Sequence, residues 1–159
     1  MPYDLNIVLV EPEIPFNTGS IGRTCLATGS KLHLIEPLGF EITNAQLKRG
    51  GLDYWHHLDV SRYENLYKLM TSIPANSKKV YFSTKAKTPY YECEFKPETY
   101  FIFGKETKGL PEDLLHENWD QCYNIPIFDE RVRSLNLANA VGIVLYEAIR
   151  QLGEVKKLS

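Results

Sequence analysis

The 159-residue chain is best approached through what it lacks. No apolar run approaches the roughly 20 residues that a membrane-spanning helix requires, so no transmembrane helix and no membrane partner are expected. The opening MPYDLNIVLV carries neither a basic leader nor a small-residue cleavage site, and it reads as a first strand rather than a signal peptide. Cysteine is scarce: Cys25, Cys93 and Cys122, an odd number and widely separated. There is no C-x-x-C and no Cys/His cluster at zinc spacing, so the expectation is three reduced thiols in a cytoplasmic protein. Of the four histidines, His56 and His57 are adjacent and would face opposite ways in a strand; no metal site is expected. Net charge is only −2, so no whole-molecule basic field announces nucleic acid. Phosphate fingerprints are missing too. No G-x-G-x-x-G follows the first strand. Gly104-Lys-Glu-Thr-Lys-Gly109 has the outer spacing of a phosphate loop but continues into Leu110-Pro111 instead of Lys-Ser/Thr, which excludes a Walker A site.

What remains is ordinary in bulk. Hydrophobic residues make up 43% and charged residues 24%, which suits a single domain spanning residues 1–159 with a proper core. Apolar runs of strand length fall at Leu5–Val10, Lys31–Glu36, Lys79–Thr84, Tyr100–Phe103 and Cys122–Ile127. Between them lie helical stretches. Asn17 is expected to cap a helix that runs to Thr28, with Gly29 closing it. Ile42–Arg49 forms a short helix with Thr43 and Gln46 at capping-box spacing, and Ser61-x-x-Glu64 opens another. Leu66, Leu69, Met70 and Ile73 share that helix's apolar face. Glu11–Pro15 should be extended, because each proline disfavours the α region for its predecessor. Pro111 should be the first residue of a helix through Trp119, and a last helix runs from Ser134. No internal repeat, low-complexity segment or linker interrupts the alternation. The reading is α/β: a mostly parallel sheet with helices on both faces.

In such a sheet, ligands bind beyond the carboxyl ends of the strands. Three loops there stand out: Glu11–Arg23, Gly104–Pro111 and Pro126–Asn136. Backbone amides of a Gly-bounded loop can cradle an adenosine or a carboxylate, and Glu106 can fix that loop through a hydrogen bond or ion pair. Arg23, six residues after Asn17, could reach back over the helix start to a phosphate or carboxylate. The last helix is read with Asn136 and Asn139 in its first turn and Gly142 in its middle, all weak helix formers, which argues for a site at its start as well as core packing along its length. Arg23, Lys85, Lys87, Lys105, Lys108, Arg131 and Arg133 all sit in or beside loops. Composition alone favours solvated loop charge over a basic patch.

Taken together, N-T-G-x-I-x-R near the start, F-G-K-E-T-K-G-L-P in the middle and I-P-x…R-S-L-N-L-A-N-A-V near the end resemble the three motifs of SPOUT-class RNA methyltransferases. The EPEIPFNTG opening, IEPLGF, GLDYW and the ending V-L-Y-E-A-I-R-Q-L-G narrow the resemblance to the TrmL (YibK) type of tRNA 2′-O-methyltransferase, over roughly residues 5–153. It implies a C-terminal deep trefoil knot, a homodimer, and methyl transfer from S-adenosylmethionine to the ribose 2′-hydroxyl of the wobble nucleotide, position 34, of leucine tRNAs. The anticodon loop would be the partner, and no metal is implied. Alternatives are 2′-O-methylation elsewhere in tRNA, or a non-catalytic RNA-binding protein on the same scaffold.

Carried onto these residues, the resemblance implies a cofactor pocket of Ser83, Phe103, Gly104, Gly109, Ile125, Ile127, Ser134 and Leu135. Its polar catalytic neighbourhood would be Arg23, Asn17, Glu106, Ser134 and Asn136. The resemblance makes Arg23 the base. A guanidinium stays protonated at ordinary pH, so Arg23 suits positioning of the ribose or its 3′-phosphate and stabilisation of developing alkoxide charge. Tyr146 and Arg150 share a helix face with Asn139 and Ile143, which would serve a second subunit or the anticodon loop. The chain departs from the pattern at Ala138, where many relatives carry Ser, at Ile127, where Met is common, and in a Phe128–Arg133 loop about one residue longer.

Overall fold

The structure, a computed structural model, describes residues 3–42 and 54–158, the side chains of 154–158 excepted. The short helix expected over Ile42–Arg49, with its Thr43–Gln46 capping box, lies outside the described residues apart from Ile42.

Seven strands form one parallel sheet: β1 (Asn6–Val10), β2 (Lys31–Ile35), β3 (Val60–Tyr63), β4 (Lys79–Phe82), β5 (Thr88–Pro89), β6 (Tyr100–Phe103) and β7 (Cys122–Asn124). Their spatial order is β3-β2-β1-β6-β4-β7-β5, and every pairing is parallel. The helices are α1 (Pro15–Thr28), α2 (Leu66–Ser72), α3 (Glu112–Glu117) and α4 (Leu137–Leu158).

All five residues of β1 are buried, as expected of a strand covered on both faces. Its period of two divides them. Ile7 and Leu9 join a cluster with Ile21 and Cys25 of α1 and Val141, Val144, Leu145, Ala148 and Leu152 of α4. Val8 and Val10 join a second cluster with Leu69 of α2 and Leu115 of α3. Helices α1 and α4 therefore cover one face, and α2 and α3 the other. Phe82, Phe101 and Phe103 stack within the first cluster, with centroids 4.7 Å apart for Phe82–Phe103 and 6.3 Å for Phe82–Phe101.

Several boundaries differ from the sequence reading. Helix α1 starts at Pro15, with Ile14 as its cap residue and no side-chain cap bond; Asn17 lies in the first turn with its amide turned to other loops. Glu11 is left-handed (φ 54°) rather than extended. The Ser61-x-x-Glu64 box does not form, because residues 60–63 pair with β2; Asn65 caps α2 instead, accepting from the Lys68 amide at 2.9 Å. Pro111 is the residue before α3, which ends at Glu117 and is followed by a 3-10 turn over Trp119–Gln121. Strand β7 stops at Asn124, and α4 starts at Leu137, not Ser134. Strand β5, absent from the sequence reading, closes the sheet edge against β7. Gly29 does close α1 in the left-handed region (φ 68°). No helix among the described residues is long and apolar enough to cross a membrane.

Candidate active site

Because the strands are parallel, the segments leaving β1, β4, β6 and β7 emerge on the same edge of the sheet. They enclose a cleft of about 420 Å³, within the ~300–1,000 Å³ range of small-molecule sites. Among its lining residues are Ser83 and Thr84 after β4, Phe103–Leu110 after β6, Ile125 and Ile127 after β7, Arg133–Leu137 at the start of α4, and Ile14 and Asn17 at the start of α1.

The walls are held by a chain of hydrogen bonds. Glu106 Oε1 accepts from the Glu13 amide at 2.8 Å, and its Oε2 from the Ile14 amide at 2.7 Å and from Asn17 Nδ2 at 3.2 Å. Glu13 answers in the reverse direction: its carboxylate accepts from the Thr107 amide at 3.0 Å and the Thr107 hydroxyl at 2.7 Å. These two bonds hold the Glu13 carboxyl below the usual carboxylate range, with Lys105 and Lys108 assisting. Asn17, only 4% exposed, uses its Oδ1 to accept from Asn136 Nδ2 at 3.0 Å. Asn136 Oδ1 then accepts from the Ala138 and Asn139 amides at 2.9 and 3.3 Å, capping α4. A continuous path thus runs from the middle loop through α1 to the N-terminus of α4. Asn136 is the cap of α4, not a residue of its first turn, and the Asn17 side chain is a linker between two loops, not a cap.

The middle loop folds back on itself. Lys105 and Gly109 form a bridge, with the Gly109 amide donating to the Lys105 carbonyl at 2.9 Å. A Cβ on Gly104 would fall inside the backbone of Gly109 and Leu110, whereas one on Gly109 would meet nothing within 4 Å, although φ there is +68°. The loop therefore needs Gly104 for its closure and Gly109 for its turn. On the other wall, the Ser83 amide donates to the Tyr123 carbonyl at 3.0 Å, and Asn124 Nδ2 donates to the Ala86 carbonyl. Both bonds strap the β4–β5 connection to β7. Burial pushes the Tyr123 phenol up to about 12, so it stays a neutral hydroxyl in this wall.

The cleft brings together Ser83, Phe103, Gly104, Gly109, Ile125, Ile127, Ser134 and Leu135, and with them Asn17, Glu106 and Asn136. Arg23 is not among its lining residues; it is exposed on α1, near Tyr54. The loop cations do not form one free patch. Lys85 pairs with Glu112 at 2.6 Å, Lys105 with Glu11 at 3.8 Å and Arg131 with Asp129 at 2.6 Å. Glu13 was not singled out by the sequence reading. Its only signal is its place between two prolines, which says nothing about a partner 94 positions away. No cluster of three or more potential metal-ligating side chains occurs among the described residues.

Known proteins are similar to this chain in sequence and fold. A tRNA (cytidine(34)-2′-O)-methyltransferase of Aeromonas hydrophila is 42% identical over 150 residues, covering 94% of this chain and 95% of that one. A solved structure reported under the heading of 2′-OH methylation of C/U34 on tRNA superposes with a TM-score of 0.91 at 42% identity, covering 97% of this chain and 99% of that one. The SpoU methyltransferase AviRb of Streptomyces viridochromogenes, solved with its cofactor AdoMet, superposes with a TM-score of 0.82 at 25% identity, covering 95% of this chain and 58% of that one. The SpoU rRNA Methylase family model matches residues 4–146, and on that match and these likenesses the chain belongs to the SpoU methylase family.

Proposed function

We propose that this protein transfers a methyl group from S-adenosylmethionine to the ribose 2′-hydroxyl of nucleotide 34, C or modified U, in leucine tRNAs. The observation that carries the reading is the single cleft in which the three motif segments meet, in a chain 42% identical over almost its whole length to a tRNA (cytidine(34)-2′-O)-methyltransferase.

The residues present fit the cofactor. Phe103, Ile125, Ile127 and Leu135 offer apolar surface, and residues 125–136 run without regular secondary structure, so their backbone groups can read an adenine. The open side of Gly109 faces no other atom within 4 Å, leaving room for close approach of a ligand to the backbone. Ser83 and Ser134 add hydroxyls. When bound, S-adenosylmethionine supplies an activated sulfonium methyl. Glu106, Asn17 and Asn136 hold the three walls in register, which is positioning work. Ser134 is the polar side chain at the start of α4 closest in sequence to that network. Arg23, fully protonated at ordinary pH, would hold the ribose or its 3′-phosphate from outside the cleft, in keeping with tRNA bound across two subunits of a homodimer.

The deep trefoil knot belongs to the same proposal. Support comes from the sheet order: β7 lies between β4 and β5, which are joined only by residues 83–87. The C-terminal segment therefore enters the sheet beside a loop formed earlier in the chain. A reducing, cytoplasmic setting fits three buried free cysteines.

The test is methyl transfer from labelled cofactor to unmodified tRNA transcripts, with the site mapped. Label at the 2′-oxygen of nucleotide 34, strongest in leucine isoacceptors, is expected. Label only at another position overturns the substrate assignment, and absence of S-adenosylhomocysteine binding in a thermal-shift titration overturns the cofactor assignment.

A further inference from the structure

A second cavity, of about 600 Å³, adjoins the cofactor cleft and shares Thr84, Ile125, Ile127 and Arg133 with it. Two of its walls are aromatic. Phe128, on the loop between β7 and α4, is 98% exposed. It rests on nothing, in a loop pinned just beyond it by Asp129, whose carboxylate accepts from the Arg131 amide at 2.9 Å and from the guanidinium at 3.0 and 2.6 Å. Tyr91, on the 3-10 turn after β5, is 54% exposed. A lone exposed aromatic is ordinary on a protein surface. Two of them in one cavity, opening directly onto the cleft where a methyl acceptor must enter, are a different matter.

We propose that this cavity is a nucleobase subsite: when the ribose of the target nucleotide enters the cofactor cleft, its base leaves the anticodon stack and lies against Phe128, with Tyr91 on the same cavity's wall. The inference rests on the reading above that the acceptor is RNA. A base turned out for chemistry loses its stacking partners, and an aromatic side chain replaces them whatever the base, because every base has a π-face. A fully exposed ring suits this role, since nothing need be displaced for the base to dock. Arg133, lining both cavities, stands where the backbone linking ribose and base to the rest of the RNA must pass.

The experiment compares wild type, Phe128→Ala and Phe128→Trp, all saturated with S-adenosylhomocysteine, on two tRNA transcripts. One carries C34; the other is abasic at 34 but retains its ribose. For the C34 transcript, Phe128→Ala is expected to raise Kd about tenfold or more, with the thermal midpoint and S-adenosylhomocysteine affinity unchanged, and Phe128→Trp to restore it. On the abasic transcript wild type should bind as weakly as Phe128→Ala, and the substitution should cost nothing further. An unchanged Kd for Phe128→Ala on C34 RNA, or a loss that adds in full to the abasic loss, overturns the proposal. Methyl transfer is followed separately: if Kd responds as expected but no methyl is transferred to nucleotide 34, the stacking stands and the functional assignment falls.

Discussion

Glu106 accepts from three donors with two oxygens, and this makes its charge state as important as its length. A carboxylate can accept at all of these positions; a glutamine amide turns one end into a donor facing a backbone N–H. Glu106→Gln is therefore expected to behave nearly as badly as Glu106→Ala. Each should lose about 1–3 kcal/mol of stability, and S-adenosylhomocysteine affinity should fall, because the loop bearing Gly104 and Gly109 loses its anchor to α1. Calorimetric titration and chemical unfolding of both variants check this; full affinity in Glu106→Gln would mean that geometry alone holds the loop. His33 is the second residue whose protonation matters. It is buried, with Nε2 2.9 Å from Asn6 Oδ1 and Nδ1 3.3 Å from the Tyr63 hydroxyl. Burial lowers its pKa from 6.5 to about 4, with Asp59 pulling the other way and Lys31 adding to the fall. Between those values the unfolded chain takes up a proton that the folded chain refuses, so stability is complete above about pH 6.5, declines as pH falls, and levels off below about 4. At full titration the loss is on the order of 3 kcal/mol. Urea unfolding at intervals from pH 7 to pH 4 should show this slope, and His33→Gln, which keeps an amide beside Asn6 but cannot titrate, should flatten it by one proton.

The elements divide by how local their causes are. Strands β1, β2, β4 and β6 were legible because an apolar run of strand length buried on both faces needs no partner to be recognised. Gly29 as the end of α1 was legible for the same reason, since a left-handed residue after a helix is a local event. What stayed hidden depends on distant chain. Ser61 and Glu64 have the spacing of a cap, but residues 60–63 gain more by pairing with β2. Thr88–Pro89 is too short to read as a strand and exists because β7 lies alongside. Asn17 looks like a cap from its neighbours and becomes a linker only because Glu106 and Asn136 reach it. The motif resemblance named residues that line the cleft, but also Arg23, which does not, and it gave no sign of the hydrogen-bond wiring between the loops. The middle loop shows both. Its glycine spacing is visible, but only the structure separates the two glycines. Gly104→Ala would drive a Cβ into the backbone of Gly109 and Leu110, where no side chain can give way, so the loop must open. Expected is a drop of several degrees in Tm and loss of S-adenosylhomocysteine binding. Gly109→Ala, with open space around it but φ at +68°, should cost only about 1–2 kcal/mol and keep measurable binding. Thermal shift with and without ligand separates the two, and equal behaviour would show that the bridge between Lys105 and Gly109 does not shape the pocket.

At the scale of the molecule, α4 has two faces with different obligations. Val141, Val144, Leu145, Ala148 and Leu152 are buried against the sheet and α1. The opposite face carries Ile143 at 38% and Tyr146 at 54% exposure, three residues apart and therefore neighbours on the helix surface. Gly142 beside them meets nothing within 4 Å. Close packing inside this chain, one reason a small residue might stand there, is thus not its role, and a bare helix backbone next to two exposed apolar side chains is what a second subunit would cover. The homodimer proposed above would use this face of α4, and it also bears on RNA. The chain's net charge is −2, and Lys85, Lys105 and Arg131 are tied to carboxylates, so those three loop cations are engaged within one copy, and a second copy would add its own cations to a tRNA-binding surface. Ile143→Glu together with Tyr146→Glu places like charges across a two-fold interface and is expected to yield a monomer by sedimentation at micromolar concentration. Its thermal midpoint and S-adenosylhomocysteine affinity should stay close to those of the wild type, because neither side chain is buried and neither lines the cleft. Its affinity for tRNA should fall and its salt dependence become shallower, since fewer phosphates are contacted per complex. A wild type that sediments as a monomer at that concentration while fully active, or a double variant that remains dimeric, would move the interface away from this face of α4.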